Sequence, residues 1–599
     1  MKLQTQWDLS KLGSGINDNE FKIERELMEK KYKSFARKWK KDKTFLVDEK
    51  SLKKALDQYE KISQLGNKEQ VFIFLSMQTN AGDPELQSAY KKMTYFINDM
   101  IDEIRFFILD LGKIEIKNQK KFLESEMLGD YKNFLKNIFN KSKYHLSNKE
   151  ERILSLKSGV SNSNWSEMID EFLAQSQREI LVPQEKGSPK KQLVGLETII
   201  TYTGHINKKV RKVADAAFTS ILSEFEPVAE KEFNSLLEDK KINDELRGYS
   251  RPDSSRHINE DIETEAVDIL REVVADNFKV SRAFFKLKSQ LLKQEKFKYS
   301  ERNLEYGKIS KKYSYNESVD LVTQAFNNIH SKFTEIFTEF TFEGNIDVEP
   351  KKGKRGGAFC MSYGVADPVY IMLNHTDSVR DIATIAHEMG HAIHAVLGKK
   401  ENQLNYDTPM CTAEAASTFC EDFVFQELLH NVNDEQKLAL MMKQLQDKVN
   451  TVFRQIAAYN FELEIHNEFR KQGFLPKQVI GNLFNKHMKS YLGSSFELDN
   501  DSSLGWVYWS HFRSPFYVYS YAMGLLCAQS MQAKFTKNPE FISEIMEFYT
   551  TRTSLSPKEI YEKMGMDITD PHFWQSGIDE INDLLKETKK LAKKLGKIK

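Results

Sequence analysis

Residues 378 to 398 read SVRDIATIAHEMGHAIHAVLG. Val379, Ile382, Ile385, Met389, Ile393 and Val396 recur at spacings of three and four, the period of an amphipathic helix. Ser378, with Asp381 three residues on, resembles a capping box in which Asp replaces the usual Glu. His387 and His391 therefore lie on a helix, one turn apart on one face. That spacing lets two imidazole nitrogens reach a single tetrahedral ion at about 2.0 to 2.1 Å. Glu388, next to the first histidine, sits beside such an ion rather than on it. From there its carboxylate can take a proton from a zinc-bound water that the cation acidifies toward a pKa of about 7.

This is the HExxH pattern of two helical histidines and an adjacent acid. Zinc needs a third protein ligand so that water can hold the fourth position. The metzincin version requires Gly at 394 and His at 397; the chain has His394 and Leu397, which excludes it. A carboxylate from a second helix is the alternative, and TPMCTAEAASTFCEDFVFQELLH (408 to 430) is the next helical stretch, with Thr408 as N-cap and Pro409 in the first turn. Glu414 lies there among Ala413, Ala415, Ala416 and Ser417, small residues that allow close approach. His394, three residues after His391, is the alternative third ligand, although three ligands from consecutive turns of one straight helix do not readily surround an ion. Glu421, seven residues after Glu414, falls on nearly the same face, either orienting a ligand histidine or serving as an ordinary surface acid.

Outward from this segment the texture changes. VEPKKGKRGGAFC (348 to 360) is a basic, Gly-rich turn leading into a short apolar run, and PVYIMLNH (368 to 375) is rich in β-favouring residues; two strands are expected. From Asn19 to about Phe340 the pattern is that of amphipathic helices, as in VFIFLSMQTN and NDMIDEIRFFILDLG. Gly, Pro, Ser and charges cluster at 146 to 151, 182 to 192 and 248 to 255. The softest boundary divides an N-terminal helical domain, 1 to 195, from a catalytic domain, 196 to 599. No repeat of fixed period is present. Helical patterning runs from Ser378 almost to the end, and the Lys-rich closing segment KETKKLAKKLGKIK is expected to be a solvated helix end.

Composition bounds the rest. A chain of 599 residues makes about four packing units, or two large ones. Hydrophobic residues at 40% and charged residues at 29%, with only 27 Gly and 13 Pro, exclude collagen-like, low-complexity and disordered classes. Lys+Arg and Asp+Glu both number 87, so no basic excess recommends nucleic acid or an anionic membrane as partner. Four scattered cysteines indicate reduced thiols and a cytoplasmic location. The start lacks an apolar signal region, and no run of about 18 apolar residues appears, so neither export nor membrane insertion is expected.

HEMGHAIH, the AEAASTFCE segment after it, GGAFC and PVYIMLNH before it, and HFRSPFYVYSYAMG (511 to 524) together resemble the thimet-oligopeptidase-like zinc metallopeptidases. WDLSKL (7 to 12) and MGMDITDPHFWQSGIDEINDLL (564 to 585) are similar to one subfamily among them, so the likeness spans nearly the whole chain. The resemblance implies a mainly α, elongated multi-helix fold with a deep central channel and a small β-sheet beside the HExxH helix. It further implies one Zn2+ ion and hydrolysis of internal bonds in short unstructured oligopeptides. His387, His391 and Glu414 would be ligands and Glu388 the general base. The turn Gly356, Gly357, Ala358 and the strand from Val369 to Asn374, with Tyr370, Ile371 and Met372, would form the edge along which a peptide adds as an extra strand, a mode that binds main chain irrespective of side chain. The oxyanion donor would come from Tyr521, or from Tyr517 or His511.

Two other functions fit parts of the sequence. A scaffold protein with a structural zinc would close all four positions and draw on Cys411 and Cys420. An exopeptidase trimming dipeptides would need a fixed cation for the substrate's carboxylate, and Lys354 and Arg355 are the candidates.

Overall fold

Helices begin where short polar residues precede an apolar stripe. In the computed structural model, which describes residues 2–184, 187–307 and 311–599, reciprocal capping boxes open Asn148–Ser158, Tyr315–Asn327, Asp434–Lys448 and Pro557–Lys563, formed by Ser147 with Glu150, Ser314 with Glu317, Asn433 with Gln436 and Ser556 with Glu559. Each box satisfies backbone N–H groups that a helix cannot pair internally. The fold is mainly α with three small sheets among the described residues.

The chain forms two compact units, each assembled from three segments. The first comprises Met1–His145, Ser310–Asn431 and Ala528–Asp567; the second comprises Leu146–Ile309, Val432–Cys527 and Ile568–Lys599. The 146 to 151 break marks the first passage between units, whereas residues 195 and 196 both lie inside the second.

The first unit has an aromatic core. Tyr32, Phe35 and Trp39 of the helix Asn19–Lys41 meet Phe45 and Phe107, and the Phe35 and Phe107 rings pack edge-on at 5.1 Å. Each such side chain fully buried contributes about 1.5 to 3 kcal/mol before its lost freedom is counted. A three-stranded sheet follows: β1 (Ile346–Asp347), β2 (Phe359–Met361) and β3 (Tyr370–Met372), in the order β1-β3-β2. β3 runs parallel to β1 and antiparallel to β2, with Cys360 opposite Ile371. The N-terminal WDLSKL segment backs this sheet: Trp7 packs edge-on against Tyr370, whose hydroxyl donates to the Asp8 carbonyl at 2.8 Å. The two helices α1 (Val379–Leu397) and α2 (Met410–His430) complete the part that concerns function.

In the second unit a 40-residue helix, Lys208–Arg247, ends at Gly248, whose φ of +75° suits glycine and opens the 248 to 255 break. An antiparallel hairpin, Gln177–Val182 with Lys190–Gly195, lies in a stretch expected to be mostly helical, and its two strands flank the 182 to 192 break. Six-residue strands carrying charges offer little periodicity to read; Glu185 and Lys186 lie outside the described residues. α3 (Gln455–Gln472) follows a π-helical segment, Val449–Arg454, and α4 (Tyr519–Lys537) follows the HFRSPFYV stretch. Lys594, ending the helix Pro571–Lys594, and Lys597 pair with Asp434 and Glu435, both at 2.8 Å. No helix among the described residues is long and apolar enough to cross a membrane.

Candidate active site

α1 and α2 touch along their backbones. A Cβ built on Gly390 would lie 2.6 Å from Ser417 Cα and 2.7 Å from the Ala416 carbonyl oxygen, closer than any side chain tolerates. Gly390, inside the HEMGH motif, and the small residues around Glu414 therefore set the interhelical distance. At the start of α1 the Asp381 carboxylate accepts the backbone N–H groups of Thr376 at 2.7 Å and Ser378 at 2.9 Å. At the start of α2, Pro409 itself holds the N-cap position, one residue later than the sequence suggested, and Thr408 does not cap.

This approach brings His387, His391 and Glu414 together, one ligand atom from each lying within 4.8 Å of the others. His387 Nε2 is 3.8 Å from Glu414 Oε2, and the two imidazole rings stand 4.9 Å apart at 86°. An ion about 2 Å from each donor fits that spacing. On its far side the His387 ring bonds through Nδ1 to Glu421 Oε1 at 2.5 Å, while Nε2 is the ring nitrogen turned toward Glu414. Burial alone would lower the His387 pKa, but Glu421, then Glu414 and Glu388, raise it to about 10. Burial, then the charge of His387, holds His391 neutral. A cradle of carboxylates around a basic imidazole is chemically suited to a cation.

Glu388 is buried, and burial, with Glu414 and Glu421 nearby, pushes its pKa up to about 7; His387 and a hydrogen bond from the Cys360 backbone act in the opposite sense. That Cys360 contact escaped the sequence reading, although GGAFC stood out as a strand.

Several expected residues lie elsewhere. His394 is buried, its Nε2 3.2 Å from the Thr551 carbonyl oxygen and its ring stacked on Phe548, away from the His387 group. Cys411 and Cys420 are buried and outside that group, Cys420 Sγ lying 3.4 Å from the Tyr549 hydroxyl. The Lys354 ammonium is spent on Asp347 Oδ1 at 2.6 Å and the Glu349 carbonyl at 2.9 Å, and its side chain has no exposed surface, so it cannot anchor a carboxylate. Tyr370, Ile371 and Met372 do not form a sheet edge: β3 is the middle strand, paired on both sides and fully buried. β1 and β2 are the outer strands, and β2 follows the turn where Gly357 takes φ +82° and the Asn374 side chain donates to the Arg355 and Gly357 carbonyls at 2.9 and 2.8 Å.

In the second unit His511, Tyr517 and Tyr521 form one cluster. His511 Nδ1 bonds the Tyr517 hydroxyl, and the Tyr521 ring lies 5.9 Å from His511 and 5.7 Å from Tyr517. Tyr517 precedes α4, and Tyr521 is in its first turn. Tyr519 points elsewhere, packing on His257 and Tyr459.

The profile of peptidase family M3 matches residues 201–580, and that of the Oligopeptidase F N-terminal region matches 111–176. An Oligoendopeptidase F homolog of Borreliella burgdorferi is 25% identical over 595 residues, 98% of each chain, and Oligopeptidase PepF of Bacillus subtilis is 25% identical over 489 residues, 79% of this chain and 72% of its own. Among solved structures, oligoendopeptidase-F from Enterococcus faecium superposes with a TM-score of 0.71 at 17% identity, over 96% of this chain and 99% of its own, which establishes the likeness of fold.

Proposed function

We propose, from the premise that the chain belongs to peptidase family M3 and is a metallo-endopeptidase acting on oligopeptides, that it uses one zinc ion to hydrolyse internal bonds of short unstructured peptides. The observation that carries this is the convergence of His387, His391 and Glu414, with Glu421 bonded behind His387. Two imidazoles and a carboxylate form a zinc donor set that leaves one position open. His387, His391 and Glu414 would hold the ion. When bound, it supplies Lewis acidity that polarises the scissile carbonyl and acidifies water.

Glu388 takes the proton from the attacking water and delivers it to the departing amine. Its burial suits the task, because a carboxylate with few competing partners is a stronger base. Glu421 fixes the His387 tautomer. Tyr521 first and Tyr517 second, with His511, supply a neutral donor to the developing oxyanion. The Gly356, Gly357, Ala358 turn and the β2 edge pair with the main chain of an extended peptide, which makes binding tolerant of sequence. A channel of the kind the family resemblance implies would exclude folded domains, and the sparse cysteines fit a cytoplasmic enzyme.

The test is product mapping by mass spectrometry on a mixed peptide pool, with chelator and after zinc is restored. Internal cleavages that vanish with chelator and return with zinc are expected. Cleavage indifferent to chelator, or only stepwise trimming from one end, would overturn the proposal.

A further inference from the structure

The segment that carries Tyr517 is held by Glu462, by Arg256 and by the pair of Arg513 with Glu232. Phe516, the residue just before it, has φ +67°, a left-handed conformation that a bulky side chain adopts only where its surroundings impose it. Glu462 on α3, only 1% exposed, accepts the Phe516 N–H on Oε1 at 3.0 Å. The Phe516 ring, itself fully buried, packs against His466 at 4.7 Å and Tyr459 at 5.7 Å. These two residues flank Glu462 at helical spacing, so one face of α3 receives the whole turn. Tyr459 is in turn fixed, its hydroxyl donating to Asp253 at 2.8 Å and lying 2.9 Å from His257 Nε2.

Arg256 holds the same turn from another side, donating to the Pro515 carbonyl at 3.4 Å and to Ser514 Oγ at 3.3 Å. Upstream, Arg513 makes a paired contact with buried Glu232 at 3.0 and 2.9 Å. Between these anchors lies the bond from His511 to Tyr517. Glu462 differs from the other anchors in one respect: its second oxygen, Oε2, has no partner among the described residues. A buried, half-paired carboxylate is costly, and the single bond it makes goes to the strained residue. Burial pushes its pKa up to about 8, so it can hold the turn as a neutral acid without a counter-ion.

We propose that Glu462 is a positioning residue for the reaction: by fixing Phe516 in the left-handed conformation it aims the next hydroxyl, that of Tyr517, at His511. The proposal rests on the role given above to the His511, Tyr517 and Tyr521 cluster. The test is a double-mutant cycle between Glu462→Leu and Tyr517→Phe, with Glu462→Gln and Tyr521→Phe as companions, measuring kcat, KM and zinc content. Glu462→Leu is expected to lower kcat about 100-fold through a misplaced group, with KM and zinc content little changed. Glu462→Gln keeps an acceptor oxygen and is expected to stay close to wild type. In the Tyr517→Phe background Glu462→Leu should lower kcat no further, because the two act through one hydroxyl. Should Glu462→Leu fail to fold, Glu462→Asp, which withdraws the acceptor while keeping the acid, enters the same cycle. Unchanged kcat in the Glu462 variant, full additivity of the two losses, or a silent Tyr517→Phe overturns this proposal and leaves the metal-dependent hydrolysis intact. Silence of both tyrosine variants also removes the role assigned to the cluster.

Discussion

The α1 and α2 pair and the Tyr517 segment are held by opposite means. The helices meet backbone to backbone through Gly390 and the small residues of α2, and the ligand atoms then follow from regular helix geometry. The segment before α4 is irregular, contains a strained phenylalanine, and is fixed by side chains reaching in from α3 and from Arg256 and Glu232. Placement by helix packing resists loss of any one side chain, whereas placement by a clamp concentrates the geometry in a few polar bonds. Substitutions near the metal group should therefore distinguish proton transfer from metal retention, and substitutions at the clamp should lower turnover with the zinc retained.

The largest effect belongs to Glu388. Glu388→Gln is expected to lower kcat by about 10² to 10⁴ while zinc content, read by metal analysis, stays at the wild-type level; wild-type turnover would remove Glu388 as the base. Next come the carboxylates of α2. Glu414→Ala should lose zinc on dialysis, and Glu421→Ala should weaken zinc affinity about 10- to 100-fold in competition with a chelator; full retention in Glu414→Ala would detach that residue from the metal. Gly390→Val tests the packing itself. Overfilling the contact should cost about 1 to 3 kcal/mol, seen as a lower Tm together with impaired zinc retention, and an unchanged Tm would show that the helices have room to part.

The smallest effect sharpens the contrast through pH. The Glu462 pKa is raised from 4.5 to about 8 in the folded chain, so the folded state binds the proton more tightly than the unfolded one. Its contribution to stability is complete below pH 4.5 and declines as pH rises through about 8. Glu462→Gln should remove that decline, so its denaturation midpoint should gain on wild type across this interval. Parallel pH profiles for the two proteins would contradict the assignment of a buried acid.

Legibility followed the same divide. Helical period alone placed His387, Glu388 and His391 on one helix, and the small residues beside Glu414 pointed to the partner helix, with an error of one residue at its start. The sheet order was missed, because PVYIMLNH is a continuous apolar run, the mark of a strand covered on both faces, and face burial does not tell whether the strand's edges are paired. Glu462 gave no signal, since an acid in YNFELEIH looks like any helical surface residue, and its partner is 54 positions away. The passage between the two units at 527 likewise leaves no trace in composition, because it falls inside α4.

Trp7 and Asp8 bear on how this protein is handled at the bench. Trp7 and the Asp8 carbonyl brace Tyr370 in the central strand, and Tyr370 pairs with Met361 of the outer strand proposed for peptide pairing. A tag or trim that disturbs positions 5 to 12 would therefore register as altered peptide affinity, far along the chain from the edit, and comparisons between differently tagged preparations should keep that stretch identical.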